Sequence, residues 1–434
     1  MREKLKIFFK KAKFLPSHDG DLKKNHKKDC LMFLAVFIAM TGFALIFRTV
    51  VQNPDLNITM FYILGNFLVA RYTSGYIFGF FYAIFSVLTI NFLFTYPYHA
   101  FNLTLDGYPI TFFCMLAICI ATSVLTTNLK EQAKVLVMQE EELMEAGEER
   151  LNRMLEFGVT TVEGKSGYGM DCDTELKQLR VMKKLDEKHP VDIVRTFLGP
   201  HSVLPEWKGK EREFIEEQLR VVMPKVKEEN LAEFADIFTE KNVFNIEDSE
   251  YYLTEAKKMG FKLKIHADEI YQLGGSELAA RVGAVSADHL LKASDEGIRQ
   301  MRDAGVISTL LPATAFSLKE EYAPGRKMID EGCAVAIASD LNPGSCFTNS
   351  IPLLVALGCI YMNMSIEEVI TALTINGAAA VDRADTVGSL EPGKQADIVF
   401  LKFPSIHFMP YHTGINLVET VIKKGETVYH KEWK

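Results

Sequence analysis

Between residues 30 and 127 the chain carries four charged side chains, Arg48, Asp55, Arg71 and Asp106, and this scarcity constrains everything that follows. Four runs within the stretch carry none: Leu31–Phe47 of 17 residues, Leu56–Ala70 of 15, Tyr76–Phe94 of 19 and Ile110–Thr127 of 18. A membrane-crossing helix needs about 20 mostly apolar residues. Buried helices of a soluble protein would show a polar stripe, whereas these runs are apolar all round. They predict a four-helix transmembrane domain over residues 30–128, with a lipid bilayer as its partner.

Lysine and arginine placement sets the orientation. Residues 1–28 hold ten of them, and the loop Thr95–Pro109 holds none. This predicts a multi-pass membrane protein whose two termini face the cytoplasm. Residues 1–29 then form a basic cytoplasmic arm, and Tyr96, Tyr98 and Tyr108 an aromatic belt on the outer side. The seven cysteines are scattered and never spaced as Cys-x-x-Cys, so neither a disulfide framework nor a zinc knuckle is indicated. The formal net charge of −8 goes with no nucleic-acid partner.

Strong helix formers fill Leu129–Leu155, which predicts a connecting helix over residues 129–157. Beyond Gly158, short β-branched runs alternate with amphipathic segments such as Glu211–Val226, Ser249–Met259 and Asp295–Asp303. The candidate strands are Val159–Glu163, Asp192–Leu198, Ala235–Thr239, Lys262–His266, Gly283–Ala287, Val306–Leu311 and Val335–Ser339. Apolar strands alternating with helices imply a parallel sheet covered on both faces. Titratable residues recur just past the strands: Glu163, Lys165 and Tyr168, then His201, His266 with Glu269, Asp288 with His289, and Asp340 with Asn342. Such recurrence at strand ends favours a barrel over an open sheet. An imidazole (His266) and a carboxylate (Asp340) suit Zn²⁺ or Fe²⁺. Glu269 could serve as general base and His289 as proton shuttle, so the chemistry indicated is metal-assisted hydrolysis of a C–N bond.

Two resemblances refine this reading. The string RYTSGYIFGFFYAIFSVLTINFLFTYPYHAF (Arg71–Phe101) resembles the four-helix membrane domain of KdpD-type sensor histidine kinases. No nucleotide loop or phospho-acceptor box accompanies it, so kinase activity is not implied. EFGVTTVEGKSGYGM (Glu156–Met170), RTFLGPHSVLPEW (Arg195–Trp207), KIHADEI (Lys264–Ile270), SADHL (Ser286–Leu290) and ASDLNPGS (Ala338–Ser345) closely resemble imidazolonepropionases of the amidohydrolase superfamily. That likeness implies an incomplete (β/α)₈ TIM barrel over residues 158–385 and a partial β-sandwich over 386–434. It implies His266 and Asp340 at metal positions and Glu269 and His289 at catalytic ones. It places Tyr168, His201, Asn342, Gly344 and Ser345 at substrate contacts. The implied substrate is 4-imidazolone-5-propanoate, opened to N-formimidoyl-glutamate in histidine degradation, and a homodimer is implied as well.

One departure bears on activity. The family supplies two further metal ligands as His-x-His on its first barrel strand, and none of the ten histidines here is so paired. Catalytic zinc normally has three or four protein ligands. Three readings follow: a membrane-tethered amidohydrolase, active or disabled by the missing pair; a non-enzymatic membrane sensor that binds a small ligand; and a chimera of two unrelated parts.

Overall fold

The structure is a computed structural model that describes residues 22–50, 55–73, 77–101, 113, 117 and 140–432. The chain divides into two compact units, residues 1–134 and 135–434.

In the first unit the helices are Leu22–Val50, Asp55–Tyr72 and Ile77–Thr89, the last continuing as a widened turn through Ile90–Phe94. Lys28–Val50, with mean hydropathy 2.6 over its most apolar window, is long and apolar enough to cross a bilayer, and 11% of that window is buried. Ile58–Tyr72 and Phe78–Phe94 are shorter apolar helices. The sequence predicts a third span over Tyr76–Phe94, and the widened turn divides it. Most of the fourth run, Ile110–Thr127, lies outside the described residues, as does the connecting segment before residue 140. Large apolar side chains such as Leu31, Ile38, Phe43 and Met60 are exposed. Inside, Tyr62 donates to Thr41 Oγ1 at 3.1 Å. Arg48 donates to the Leu93 carbonyl at 2.7 Å and lies 4.1 Å over the Tyr98 ring.

The second unit is built on parallel strands: β1 (Thr161–Lys165), β2 (Asp192–Phe197), β3 (Phe234–Ala235), β4 (Phe238–Thr239), β5 (Lys262–Ala267), β6 (Ser286–His289), β7 (Ile307–Leu310) and β8 (Val335–Ile337). Their order is β1-β2-β3-β5-β6-β7-β8, and β4 pairs with β5 beyond β3. β3 and β4 are therefore one strand position interrupted at Asp236 and Ile237. The seven positions match the seven predicted strands, with shifted ends. The fifth begins at Ser286 instead of Gly283, because Gly283 adopts φ 68° to end the helix Gly275–Val282. Among the described residues β1 and β8 have no outer partner, so the barrel is left open by a seam.

The covering helices begin with side-chain caps: Asp171 for Cys172–Lys188, Asn245 for Ile246–Lys258 and Ser294 for Asp295–Ala304. The antiparallel strands β9 (Ile398–Leu401), β10 (Val418–Lys423) and β11 (Glu426–His430) form a three-stranded sheet with β10 in the middle. Buried Lys423 ties it to the barrel, with Nζ 2.6 Å from Asp192 on β2 and 2.6 Å from Asp397. A core of Leu151, Leu155, Leu185, Val191, Ile193 and Val421 joins this sheet to helix Glu140–Glu156. That helix is thus part of the folded unit. Truncating Leu155 to Ala should destabilise the unit by about 2–5 kcal/mol, read as a lower denaturation midpoint by tryptophan fluorescence. An unchanged midpoint would show the helix to be peripheral.

Candidate active site

Two loops are built to carry reactive side chains at the C-terminal ends of the strands. After β1 the chain turns through Ser166–Met170. Gly167 has φ 114°, and a Cβ there would lie 2.9 Å from the Leu198 carbonyl; one on Gly169 would lie 2.4 Å from the Glu175 nitrogen. Only glycine fits either place. Buried Glu175 accepts from the amides of Gly167, Gly169 and Met170 at 2.6–3.1 Å, which fixes Tyr168 between them. After β5, Asp268 accepts from the amides of Leu273, Gly274, Gly275 and Ser276 at 2.8–3.1 Å. Glu240 accepts from the Ile270 amide at 2.9 Å. Together they hold the turn that presents Glu269.

The predicted residues gather around this mouth. His266, on β5, is buried; its Nδ1 donates to Asp236 at 3.1 Å, which leaves Nε2 as its free donor atom. The rings of His266 and His289 are 5.2 Å apart, and those of His266 and His201 6.2 Å. His289 Nδ1 lies 3.4 Å from Glu269 Oε1 but is not aligned for a hydrogen bond and is otherwise unpartnered. His201 donates from Nδ1 to the Gly167 carbonyl at 3.1 Å and packs against Tyr168 at 5.1 Å. Tyr168 donates to Asn342 Oδ1 at 3.2 Å, and Asp340 accepts from Thr314 at 2.6 Å. Asn342 Oδ1 also accepts from the amides of Gly344 and Ser345, both at 2.8 Å. Those amides therefore shape the loop after β8. Left-handed backbone recurs here in residues other than glycine: Asp268 (φ 48°), His289 (φ 74°), Leu290 (φ 62°) and Asp340 (φ 50°). Such conformations are costly for L-residues and persist where the surroundings enforce them.

Beneath the mouth lies a buried charge network. Lys165 Nζ is 2.7 Å from Asp236 and 3.0 Å from both Asp288 and Glu163. Lys264 Nζ reaches Glu163 at 3.1 Å, Ser286 at 2.9 Å and the Ala380 carbonyl at 2.7 Å. Three carboxylates face two ammonium groups, leaving one negative charge for His266 to balance. Burial opposes a charge on His266, but Asp236 beside it prevails and raises the imidazole to about 9. Burial would likewise push Asp236 up, yet His266 and Lys165 hold its carboxyl well below the usual range.

Sequence reading brought Lys165 and Asp288 to strand ends but passed over Asp236. Its signal is legible in retrospect, as a charge within the apolar strand Phe234–Thr239. Among the described residues Asp236, His266 and Asp288 form a group whose ligand-type atoms lie within 4.8 Å of one another. That group is not the predicted pair His266 and Asp340. The latter two fit a divalent cation by donor chemistry, since the Nε2 of His266 is turned away from Asp236 and ligates once it gives up its proton, and Asp340 supplies a carboxylate. A surface cavity of about 650 Å³ is lined by residues such as Tyr322, Arg326 and Tyr361, none of them among the groups above.

Residues 121–428 match the amidohydrolase family, and residues 30–139 match DUF4118, a domain of unknown function. The chain is 59% identical over 294 residues to an imidazolonepropionase of Clostridium tetani, covering 68% of this chain and 70% of that one. It is 59% identical over 284 residues to an imidazolonepropionase of Parabacteroides distasonis, covering 65% of this chain and 68% of that one. Among solved structures, a variant of atrazine chlorohydrolase from Arthrobacter aurescens, complexed with zinc and atraton, superposes with TM-score 0.55 at 15% identity. It covers 70% of this chain and 77% of that one, a likeness of fold alone. The fold is that of an amidohydrolase. The chain belongs to that family and, within it, to the imidazolonepropionases.

Burial, and then the neighbouring His266, lower the His201 imidazole to about 4. An unfolded histidine titrates near 6.5, so between about 6.5 and 4 the unfolded chain binds the extra proton. His201 therefore withdraws stability as pH falls through that window. His266, raised to about 9, acts oppositely: its contribution is present below about 6.5 and is lost as pH rises through 9. His201→Asn should flatten the acid-side loss of stability in urea titrations between pH 6.5 and 4. A slope unchanged from the parent chain would contradict the assignment.

Proposed function

We propose that the second unit hydrolyses a ring C–N bond of 4-imidazolone-5-propanoate, giving N-formimidoyl-glutamate, on a site tethered to a membrane. The observation that carries this reading is the convergence of His266, Glu269, His289 and Asp340 on one barrel mouth, in a chain so similar to imidazolonepropionases. His266 through Nε2 and Asp340 through its carboxylate would hold one Zn²⁺ or Fe²⁺, which when bound supplies Lewis acidity toward water and the ring carbonyl. Asp236 keeps the Nδ1 proton of His266 in place and so keeps Nε2 turned to the mouth. Glu269 accepts a proton from the attacking water and returns it to the departing ring nitrogen. His289, beside Glu269, steadies the attacking oxygen. Tyr168, His201 and the Asn342–Ser345 loop border the substrate. With two ligands where catalytic zinc usually has three or four, metal affinity and turnover should fall below those of a complete site.

For the rest of the chain, the proposed domains are the basic arm (1–29), four membrane helices (30–128), the connecting helix (129–157), the barrel (158–385) and the partial sandwich (386–434). Both termini and the barrel face the cytoplasm, and a second copy of the chain makes a homodimer. The apolar helix Lys28–Val50 and the DUF4118 match support the membrane assignment. The likeness to KdpD-type sensors extends that support to a four-helix arrangement.

Elemental analysis of the detergent-purified chain beside Asp340→Ala tests the site. Zinc or iron bound by the parent and lost at least tenfold in the variant is expected, with ring opening lost in parallel. Parent protein that holds no metal and opens no ring would overturn the enzyme reading and leave a ligand-binding sensor or a chimera. Carbonate extraction tests the tether: the chain should stay with the membrane pellet, and release into the supernatant would exclude a spanning anchor.

A further inference from the structure

Asp236, His266 and Asp288 present ligand-type atoms within 4.8 Å of one another, all three buried. Lys165 sends its ammonium into this group, at 2.7 Å from Asp236 and 3.0 Å from Asp288. One oxygen of Asp288, Oδ1, is buried without a hydrogen-bond partner, so the group retains an unused acceptor beside a resident cation. The side chain that fills the space is charged, flexible and anchored on a different strand, β1, from the strands that bear the acids. An ammonium is a compact point charge with three donors and takes the place of a small cation more closely than a guanidinium could.

We infer that Asp236, His266 and Asp288 form a latent divalent-cation site which Lys165 occupies with its own ammonium, so that Lys165 acts as a built-in cation excluding a metal ion from the barrel floor. The two carboxylates of this site take no direct part in the proposed hydrolysis; His266 is shared, offering Nδ1 here and Nε2 to the catalytic position. Without Lys165, three carboxylates would face only the Lys264 ammonium and the His266 imidazolium, an unbalanced negative charge on the barrel floor. Buried charge in such surplus is tolerated only when it is neutralised, by protonation or by a cation. With two carboxylates and an imidazole as its nearest donors, the cluster suits Zn²⁺.

The test uses the full chain in detergent, zinc chloride as probe, and Asp340→Ala as the background that disables the proposed catalytic metal position. Zinc per chain is compared between Asp340→Ala and Asp340→Ala/Lys165→Met after removal of free metal. The double variant should hold about one more zinc, accompanied by a zinc-dependent rise in thermal midpoint. Adding Asp288→Asn should abolish that increment. A folded double variant with no increment, or an increment that survives Asp288→Asn, would overturn the inference. Lys165→Gln, which keeps two donors without the charge, is the second variant in case the methionine form does not fold. If both fail to fold with zinc supplied throughout refolding, the inference also fails, because the cation could not then replace the ammonium. Loss of ring opening in Asp340→Ala, whatever its zinc response, concerns the enzyme reading alone.

Discussion

The second unit depends on how three carboxylates beneath its mouth, two of them fully buried, are matched by cations. Glu163, Asp236 and Asp288 come from three different strands, and each would repel the others in a medium of low dielectric. Lys165, from the same strand as Glu163, and Lys264, from β5, reach across to them and turn that repulsion into cross-strand attachment. The arrangement fixes which nitrogen of His266 faces the mouth, since Asp236 claims the other. It also ties β1 to the strand position of Asp236 and to β6 through side chains, in addition to the backbone pairing of β1 with β2. Removing one partner of such a network is costly because the remainder is left buried and unpaired.

The loops above this floor follow a different principle. Their geometry is imposed by buried acceptors: Glu175, in the first turn of a helix, for the turn that carries Tyr168, and Asp268, at the end of β5, for the turn that carries Glu269. A carboxylate that gathers several backbone amides is a rigid anchor, since releasing it would orphan every amide at once. The side chains that border the mouth therefore sit on loops whose shape is determined by residues that do not face it.

Much of this was legible in the sequence. Alternating β-branched and amphipathic stretches gave the parallel strands, and the clustering of histidines and acids after them gave the mouth. Strand ends were less legible where a glycine intervened: Gly283 reads as the start of a strand but adopts the left-handed conformation that ends a helix. Asp236 was passed over because an acid inside an apolar run carries no periodic signal, and its partners lie 71 and 30 residues away in sequence. The apolar runs of the first unit were plain from composition. The division of the third by a widened turn was not, since Ile90–Phe94 has the same apolar character as the helix before it. The strong helix formers of Leu129–Leu155 read as a connecting helix, and Leu151 and Leu155 bind its described part, Glu140–Glu156, into the fold.

The seam between β1 and β8 has a consequence for how the unit comes apart. In a closed barrel every strand is held from both sides, and none can leave before the ring is broken. Here, among the described residues, two strands are each held from one side only, so the sheet has a beginning and an end like an open zip. The ends differ in depth: β8 is buried along its length, while every residue of β1 is only partly buried. Thermal opening thus has a preferred starting place, and that place carries Glu163 and Lys165. The residues that balance the charge of the floor stand on a strand whose backbone is held from one side only, so their ion pairs contribute to closing the sheet as well as to arranging its chemistry.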